Sequence, residues 1–172
     1  ILPLDESMVG VPSSFYGLTK LTSEHYLRIY NESFGLNYIC YRYSNVYGPR
    51  QGNGGEGGVI SIFAKAITQN LPITIYGDGK QTRDFIFVED VVDANILGMN
   101  SSFVGTYNIS TNIESSINML VEEFKNISGK HIEVLYEKPK LGDIKHSRLN
   151  AEKAEKELLF KINYNGYCRD KI

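Results

Sequence analysis

The sequence predicts an α/β fold, and three observations support this prediction. Segments with apolar residues at helical spacing alternate along the chain with short runs of β-branched and aromatic residues. Glycine and proline separate these segments, and no internal repeat is visible. The chain has 172 residues, of which 42% are hydrophobic and 22% charged, as in ordinary globular domains with one core.

The first predicted element is a long helix that follows a loop. Prolines and a glycine interrupt residues 1–12, so we expect no regular structure there. Ser13 and Ser14 offer N-cap oxygens, and the apolar spacing predicts a helix from Phe15 to about Phe34. Glycine at position 35 is expected to end this helix.

Shorter strands and helices follow in alternation. Aromatic and β-branched runs predict strands at 36–43, 73–76, 82–88, 106–109 and 132–136. Helical spacing predicts helices at 59–70, 89–100, 116–128 and 151–158. The run at 36–43 contains few polar residues, so we expect a buried strand. A glycine-rich loop is expected at 44–57.

Composition narrows the function classes. The net charge of −2 gives no electrostatic argument for binding nucleic acid or an anionic membrane. The apolar stretches are far shorter than the roughly 20 residues that span a membrane. We expect no metal, because His25, His131 and His146 lack ligand spacing. Cys40 and Cys168 form no zinc or CxxC pattern, which favours reduced thiols in a cytoplasmic protein.

A tyrosine and a lysine lie four residues apart near the start of the long helix. The pentad runs Tyr16-Gly17-Leu18-Thr19-Lys20, and residues at this spacing share a helix face. A free phenol, with a pKa of about 10, is a poor base at neutral pH, and a neighbouring ammonium group favours its phenolate form. Such a pair can remove a hydroxyl proton while a hydride leaves the same carbon atom. The pentad alone is also common on solvated helix surfaces.

Four longer motifs accompany this pentad. In chain order they are LPLDE at 2–6, RYSNVYGPR at 42–50, YGDGKQTRDF at 76–85 and VEDV at 88–91. Their order and spacing resemble the NAD-dependent epimerase/dehydratase family of extended short-chain dehydrogenases, most closely UDP-glucose 4-epimerases, over about residues 2–160. The resemblance implies three regions. These are the C-terminal tail of a Rossmann domain at 1–46, a small α/β sugar-nucleotide-binding domain at 47–160 and an irregular tail at 161–172.

The resemblance also implies a reaction, namely reversible oxidation at C4 of a UDP-sugar with NAD as the cofactor. Tyr16 would be the catalytic base, and Lys20 would favour its phenolate and hold the nicotinamide ribose. Tyr43 matches a position at the nicotinamide end of the site. Two alternatives remain open: a sugar-nucleotide 4,6-dehydratase or decarboxylase with the same Tyr-Lys pair, and an inactive or partner-dependent half-protein. The resemblance further implies a homodimer of the full-length parent through the helix from Phe15.

Five residues are implied to bind the UDP-sugar. Arg83 matches an arginine that grips the diphosphate, a group that suits its planar fork. Asn45 matches an amide that donates to a phosphate oxygen. Tyr76 is expected beside the uracil ring, and Val59 is expected in the substrate site. Lys140 stands where relatives usually carry an arginine, so it keeps the charge and loses the fork.

Structural alternatives also remain for these residues. Arg83 could be a solvated partner of Asp84 or Asp78. Tyr76 could be a core residue at a strand end, and Lys140 could be a solvated lysine in a loop. These readings predict ordinary ion pairs and packing instead of a shared site.

The glycine loop imitates a dinucleotide fingerprint. Gly52, Gly54 and Gly57 spell G-x-G-x-x-G before a predicted helix. The true motif places its first glycine tight against the end of a strand, whereas about eight residues intervene here after Tyr43. We therefore expect this loop to be a flexible lid or a wall of the sugar site. Because the Rossmann half and its fingerprint are missing, we expect this chain to be an incomplete part of the enzyme.

Overall fold

The computed structural model describes residues 2–8, 10–52, 57–140 and 142–164. They form a mixed α/β fold with parallel strand pairs, which confirms the predicted fold class. The helices are α1 (Phe15–Phe34), α2 (Val59–Thr68), α3 (Val88–Met99), α4 (Ile117–Ser128) and α5 (Glu152–Glu157). The strands are β1 (Ile39–Tyr43), β2 (Asn45–Tyr47), β3 (Ile73–Tyr76), β4 (Thr82–Arg83), β5 (Phe85–Phe87), β6 (Gly105–Ile109), β7 (Ser115–Ser116) and β8 (Val134–Glu137).

Both ends of α1 lie where the sequence predicts them. The hydroxyl of Ser14 accepts a hydrogen bond from the Gly17 amide at 3.1 Å. Gly35 adopts φ 68°, a left-handed conformation that suits glycine, and its amide donates to Asn31 O at 2.9 Å. No residue of this helix is buried. The helix therefore rests on the described part of the chain with one half-buried stripe.

The strands meet in four pairs within the described residues. β1 runs parallel to β6, β2 to β5 and β3 to β8, whereas β4 runs antiparallel to β7. The pairing of β1 and β6 places Ile39 opposite Gly105 and Tyr43 opposite Ile109. These pairings join segments far apart in sequence, so they bring the loops that follow the strands together.

Two buried apolar clusters flank β5. Phe85 and Phe87 belong to one cluster and Ile86 to the other, because successive strand residues point to opposite sides. The first cluster is built mainly from α2, α4 and β3. The second is built from α3, β6 and α5, with β1 packed against it. A domain boundary after residue 46 stays a prediction.

Several short elements differ from the sequence predictions, among them β7, which was not predicted, and β8, which was predicted at 132–136. The buried strand expected at 36–43 is the shorter β1, which is only half-buried because its described partner covers one edge. Asn45–Tyr47, expected in a loop, is β2 because it pairs with β5. The strand expected at 82–88 is interrupted at Asp84, whose carboxylate turns inward and accepts from the Thr111 hydroxyl at 2.9 Å.

The end of the described chain packs against α3. Asp90 accepts the backbone amide of Asn163 at 2.8 Å, and the Tyr164 ring lies 4.8 Å from that of Phe87. Positions 161–164 contain no helix or strand, whereas the rest of the predicted irregular tail and Cys168 lie outside the described residues. Among the described helices, none combines the length and apolar character needed to cross a membrane.

Candidate functional site

A cavity of about 590 Å³ gathers the five residues predicted to bind substrate. Asn45, Val59, Tyr76, Arg83 and Lys140 all line it. They come from β2, α2, β3, β4 and the loop after β8. The remaining lining residues are Gly57, Gly58, Ile62, Phe63, Thr74, Ile75, Gln81, Ile117, Gly142 and Asp143. Strand pairing thus brings together side chains that are separated by up to about a hundred residues in sequence.

The guanidinium of Arg83 is fixed by three hydrogen bonds. Its Nη1 donates to Thr82 O at 2.7 Å and to Ile144 O at 2.6 Å, and its Nη2 donates to Asp143 Oδ1 at 2.6 Å. The side chain is 16% exposed. Arginine has five N–H donors, so Nε and one Nη2 hydrogen keep no acceptor among the described residues. Arg83 is therefore oriented in advance and retains donors for an anion.

The ion-pair partner of Arg83 is neither of the two expected acids. Arg83 pairs with Asp143 instead. Asp84 is the next residue along the chain and points to the opposite side, because successive residues of a strand alternate sides. Asp84 is buried and accepts from the amides of Thr111 and Asn112 at 3.1 Å each. Burial raises the pKa of this carboxyl group above its ordinary value, and the hydrogen bonds from Thr111 oppose the shift. Asp84 also accepts from the Leu149 amide at 3.4 Å, so it ties β4 to the end of the loop that carries Lys140.

The N-terminus of α2 lies at the cavity. Its N-cap is Gly58, in extended conformation, and no side chain of the described residues caps the first amides. The Ser61 hydroxyl donates to Gly58 O at 2.8 Å and so does not serve as an acceptor in that bond. Val59 is the first residue of this helix and lines the cavity. Free amides and the helix dipole make such an end an acceptor for phosphate groups.

Tyr76 and Lys140 contact each other at the cavity wall. The Lys140 Nζ lies 4.0 Å from the centroid of the Tyr76 ring, within the range of a cation–π contact. Gln81 Nε2 donates to Tyr76 O at 2.8 Å and closes the turn after β3. Gly77 permits this turn because its φ is 90°, a conformation that side chains rarely adopt. The arrangement places one aromatic face and one ammonium group at the same rim.

The predicted catalytic pair does not line this cavity. Tyr16 is 63% exposed on α1, and the Lys20 Nζ lies 5.2 Å from its ring centroid, so the two share a helix face as predicted. Lys20 lines a separate cavity of about 460 Å³ between α1 and the start of the chain. Arg42 anchors α1 above β1 through two bonds to the Glu24 carboxylate, at 2.9 and 2.7 Å. The pair thus lies on an open face.

Tyr43 also lies outside the cavity. It is 41% exposed, and its hydroxyl accepts from Asn95 Nδ2 on α3 at 3.0 Å. A cofactor role for Tyr43, Tyr16 and Lys20 stays a prediction. Of the glycine loop, Gly57 lines the cavity, whereas Gly54 lies outside the described residues.

Sequence reasoning missed several cavity residues. Asp143 lies three residues after Lys140 and yet received no role, because its contact with Arg83 spans 60 residues. Gln81 received none either, although it lies inside the YGDGKQTRDF motif. A signal for the α2 N-terminus was present, since two glycines precede a helix without a capping side chain. Ile62 and Ile117 carried no signal beyond helical spacing.

Comparison with known proteins gives a consistent picture. The model of the NAD dependent epimerase/dehydratase family matches residues 2–110. A UDP-glucose 4-epimerase of Mycolicibacterium smegmatis is 36% identical over 157 residues, which is 91% of this chain and 50% of that protein. A UDP-N-acetyl-alpha-D-glucosaminuronate decarboxylase of Bacillus cytotoxicus is 36% identical over 141 residues, 78% of this chain and 44% of that protein.

A solved structure agrees in fold. The crystal structure of UDP-glucose 4-epimerase with UDP-glucose from Thermotoga maritima superposes with a TM-score of 0.93 at 36% identity. The match covers 96% of this chain and 53% of that one. The chain therefore spans about half the length of the relatives that it matches.

Proposed function

This chain belongs to the NAD-dependent epimerase/dehydratase family, and from that premise we propose that it forms the nucleotide-sugar-binding part of a UDP-sugar 4-epimerase that uses NAD. The observation that carries the proposal is the single cavity in which Asn45, Val59, Tyr76, Arg83 and Lys140 meet. Its volume of about 590 Å³ lies within the range of roughly 300–1,000 Å³ that small-molecule sites occupy.

The polar groups of the cavity suit a diphosphate. Arg83 keeps two donors free, and the first amides of α2 face the same space. Asn45 opens β2 with its backbone amide bonded to Asp84 O at 2.8 Å, and it lines the cavity, where its side-chain amide would meet the ligand. Lys140 adds a second positive charge. The two linked phosphates of a diphosphate can accept from all of these donors together, whereas a single phosphate can reach only some of them.

The Tyr76 ring suits the base of a nucleotide. Tyr76 is half-buried, and Gln81 fixes its backbone by donating to its carbonyl oxygen. Stacking of a planar base on an aromatic ring is favourable and tolerates different bases. Lys140 would leave this ring for the phosphates when the base arrives, since charge-assisted bonds are stronger than an exposed cation–π contact.

Tyr16 and Lys20 would act on the sugar hydroxyl. They share a helix face, with the Lys20 Nζ 5.2 Å from the Tyr16 ring centroid, so Tyr16 would take up the hydroxyl proton and return it while Lys20 holds the nicotinamide ribose. Tyr16 is 63% exposed and Lys20 is exposed beside it, so the pair is open to the nicotinamide end of NAD. NAD, when bound, supplies the hydride acceptor.

Two further features belong to the proposal. The outward side of α1 carries Tyr26, Ile29 and Tyr30, all exposed. We assign this side to a homodimer contact in the full-length parent, which would act in the cytoplasm.

A nucleotide-sugar decarboxylase or 4,6-dehydratase is the second candidate function. The decarboxylase of Bacillus cytotoxicus among the relatives favours it.

Binding of UDP, UMP and uridine to the intact protein tests the site. If the cavity holds a diphosphate, affinity falls from UDP to UMP to uridine, because each phosphate removed leaves donors of Arg83 and α2 unpaired. Calorimetry at fixed ionic strength measures the series. Equal affinity for all three ligands, or no binding of UDP, would contradict the proposed cavity assignment.

A further inference from the structure

A second cavity, of about 340 Å³, lies on the opposite side of α2 from the nucleotide-sugar cavity. Ser61, Lys65 and Thr68 line it from α2, whereas Val59 and Ile62 face the first cavity. Helical geometry puts these two sets about half a turn apart. The other wall is the segment that follows β2, including Arg50. An occupant of this cavity would therefore not touch the UDP-sugar.

The charged side chains that line this cavity within the described residues are all positive. Its lining contains two cationic side chains, Arg50 and Lys65, and no acidic side chain among the described residues. Both are exposed, and neither forms an ion pair within the described parts of the chain. The hydroxyl groups of Ser61 and Thr68 already donate to the backbone oxygens of Gly58 and Lys65, so the attraction for an anion comes from the two cationic side chains. Two uncompensated cations beside one concavity favour an anion between them.

The backbone at Arg50 supplies an independent observation. The Gln51 amide donates to Gly48 O at 3.3 Å, which closes a turn with Pro49 in its second position. Arg50 occupies the third position with φ 64°, where glycine or asparagine is favoured and other side chains cost free energy. The turn is also tightly packed, because a Cβ at Gly48 would lie 2.5 Å from Val88 Cγ1. The turn conformation thus favours glycine at position 50. A binding role of the side chain would explain why arginine stands there instead.

We propose that this cavity binds a phosphate-type anion, either inorganic phosphate or the phosphate of a small ester, between Arg50 and Lys65. The guanidinium fork can bond two oxygens of a phosphate, and the Lys65 ammonium adds a point charge. The volume of about 340 Å³ limits the occupant to a small molecule. The site is separate from the proposed epimerase function, so either can fail without the other.

Phosphate titration of the intact protein tests this site. Saturating UDP first fills the cavity that contains Arg83, and inorganic phosphate or glycerol phosphate is then titrated by calorimetry at constant ionic strength. We expect saturable binding of at least one of these two probes, and the tighter probe identifies the source of the phosphate group. We expect this binding to weaken at least tenfold in Arg50→Gly and in Lys65→Gln.

The variants separate binding from folding. Arg50→Gly suits the observed φ, so the protein should melt at or above the wild-type temperature. Lys138→Gln is the matched control, because it removes one charge from an exposed lysine that does not line this cavity. Absence of saturable binding of either probe to the wild type would overturn the proposal. So would binding in Arg50→Gly and Lys65→Gln that equals binding in Lys138→Gln.

Discussion

Removal of the Arg83 guanidinium is the sharpest perturbation of the candidate diphosphate site. Arg83→Ala deletes the two donors that stay free for a ligand and leaves the Asp143 carboxylate at the cavity without its partner. A hydrogen bond to a charged group contributes about 1.5–3 kcal/mol. Since 1.4 kcal/mol is a factor of ten, UDP affinity should fall roughly 10- to 100-fold. The second free donor of Arg83 adds little to this loss of affinity, because the cavity is open to water, which competes for the hydrogen bond.

The assay is calorimetric titration of UDP into the intact protein at fixed ionic strength. Arg28→Ala is the control, because Arg28 is 53% exposed on α1 and pairs with Glu32 far from the cavity. Its removal should leave UDP affinity unchanged. Thermal melting of both variants checks that the fold is intact. Wild-type affinity in Arg83→Ala would refute the reasoning, since Arg83 would then serve only as an ion-pair partner of Asp143.

Four further outcomes follow from the same structure. Tyr16→Phe should abolish turnover in steady-state assays and spare UDP-sugar binding, because only the hydroxyl transfers a proton; near-normal turnover would remove Tyr16 from the mechanism. Lys140→Ala should weaken UDP binding less than Arg83→Ala does, and Lys140→Arg should match or improve on wild type in the same titration, by restoring the fork. Tyr26→Asp should convert the full-length parent from dimer to monomer in sedimentation, because Tyr26 is 62% exposed on the outward side of α1; a monomeric wild type would contradict this. Burial raises the pKa of Asp84, so its contribution to the free energy of unfolding should be largest below the ordinary value of 3.8 and decline as pH rises through the raised value. The difference in unfolding free energy between wild type and Asp84→Asn, measured from pH 3 to 7, should show that slope, and a flat difference would exclude it.

Local signals predicted the long helix closely. Ser14 and Gly35 define the ends of α1 through contacts within a few residues, so the sequence contains all the information that these ends need. The bounds of β3 also match the prediction of 73–76, although this strand pairs with β8 about sixty residues later. Its run of β-branched residues between clear breakers was enough to locate it.

Elements that depend on distant partners were harder to predict. β2 has three residues and exists because it pairs with β5, about forty residues later. The break at Asp84 arises because its carboxylate bonds to Thr111. Exposure of β1 depends on which segments cover it, and a run of apolar residues does not reveal that. In each case the cause is a contact that sequence spacing does not encode.

The candidate site shows the same division. Resemblance to a family identified Asn45, Val59, Tyr76, Arg83 and Lys140, and the structure places them around one cavity. The resemblance could not reveal how Arg83 is held, because Asp143 and Ile144, which accept its hydrogen bonds, lie in the loop after β8. The positive cavity on the other side of α2 was equally invisible, since it depends on the fold of one turn against one helix.

The most direct test of a UDP-sugar 4-epimerase is incubation of the intact, NAD-loaded protein with UDP-hexoses and UDP-hexuronic acids in deuterium oxide, followed by mass and NMR analysis of the product. Transient oxidation at C4 returns the same hydride to the carbon atom, so the account predicts a C4 epimer without deuterium on carbon, and no product with Tyr16→Phe. A product lighter by one water or one carbon dioxide, or a hexose that stays unchanged in every case, would contradict the assignment as a UDP-sugar 4-epimerase.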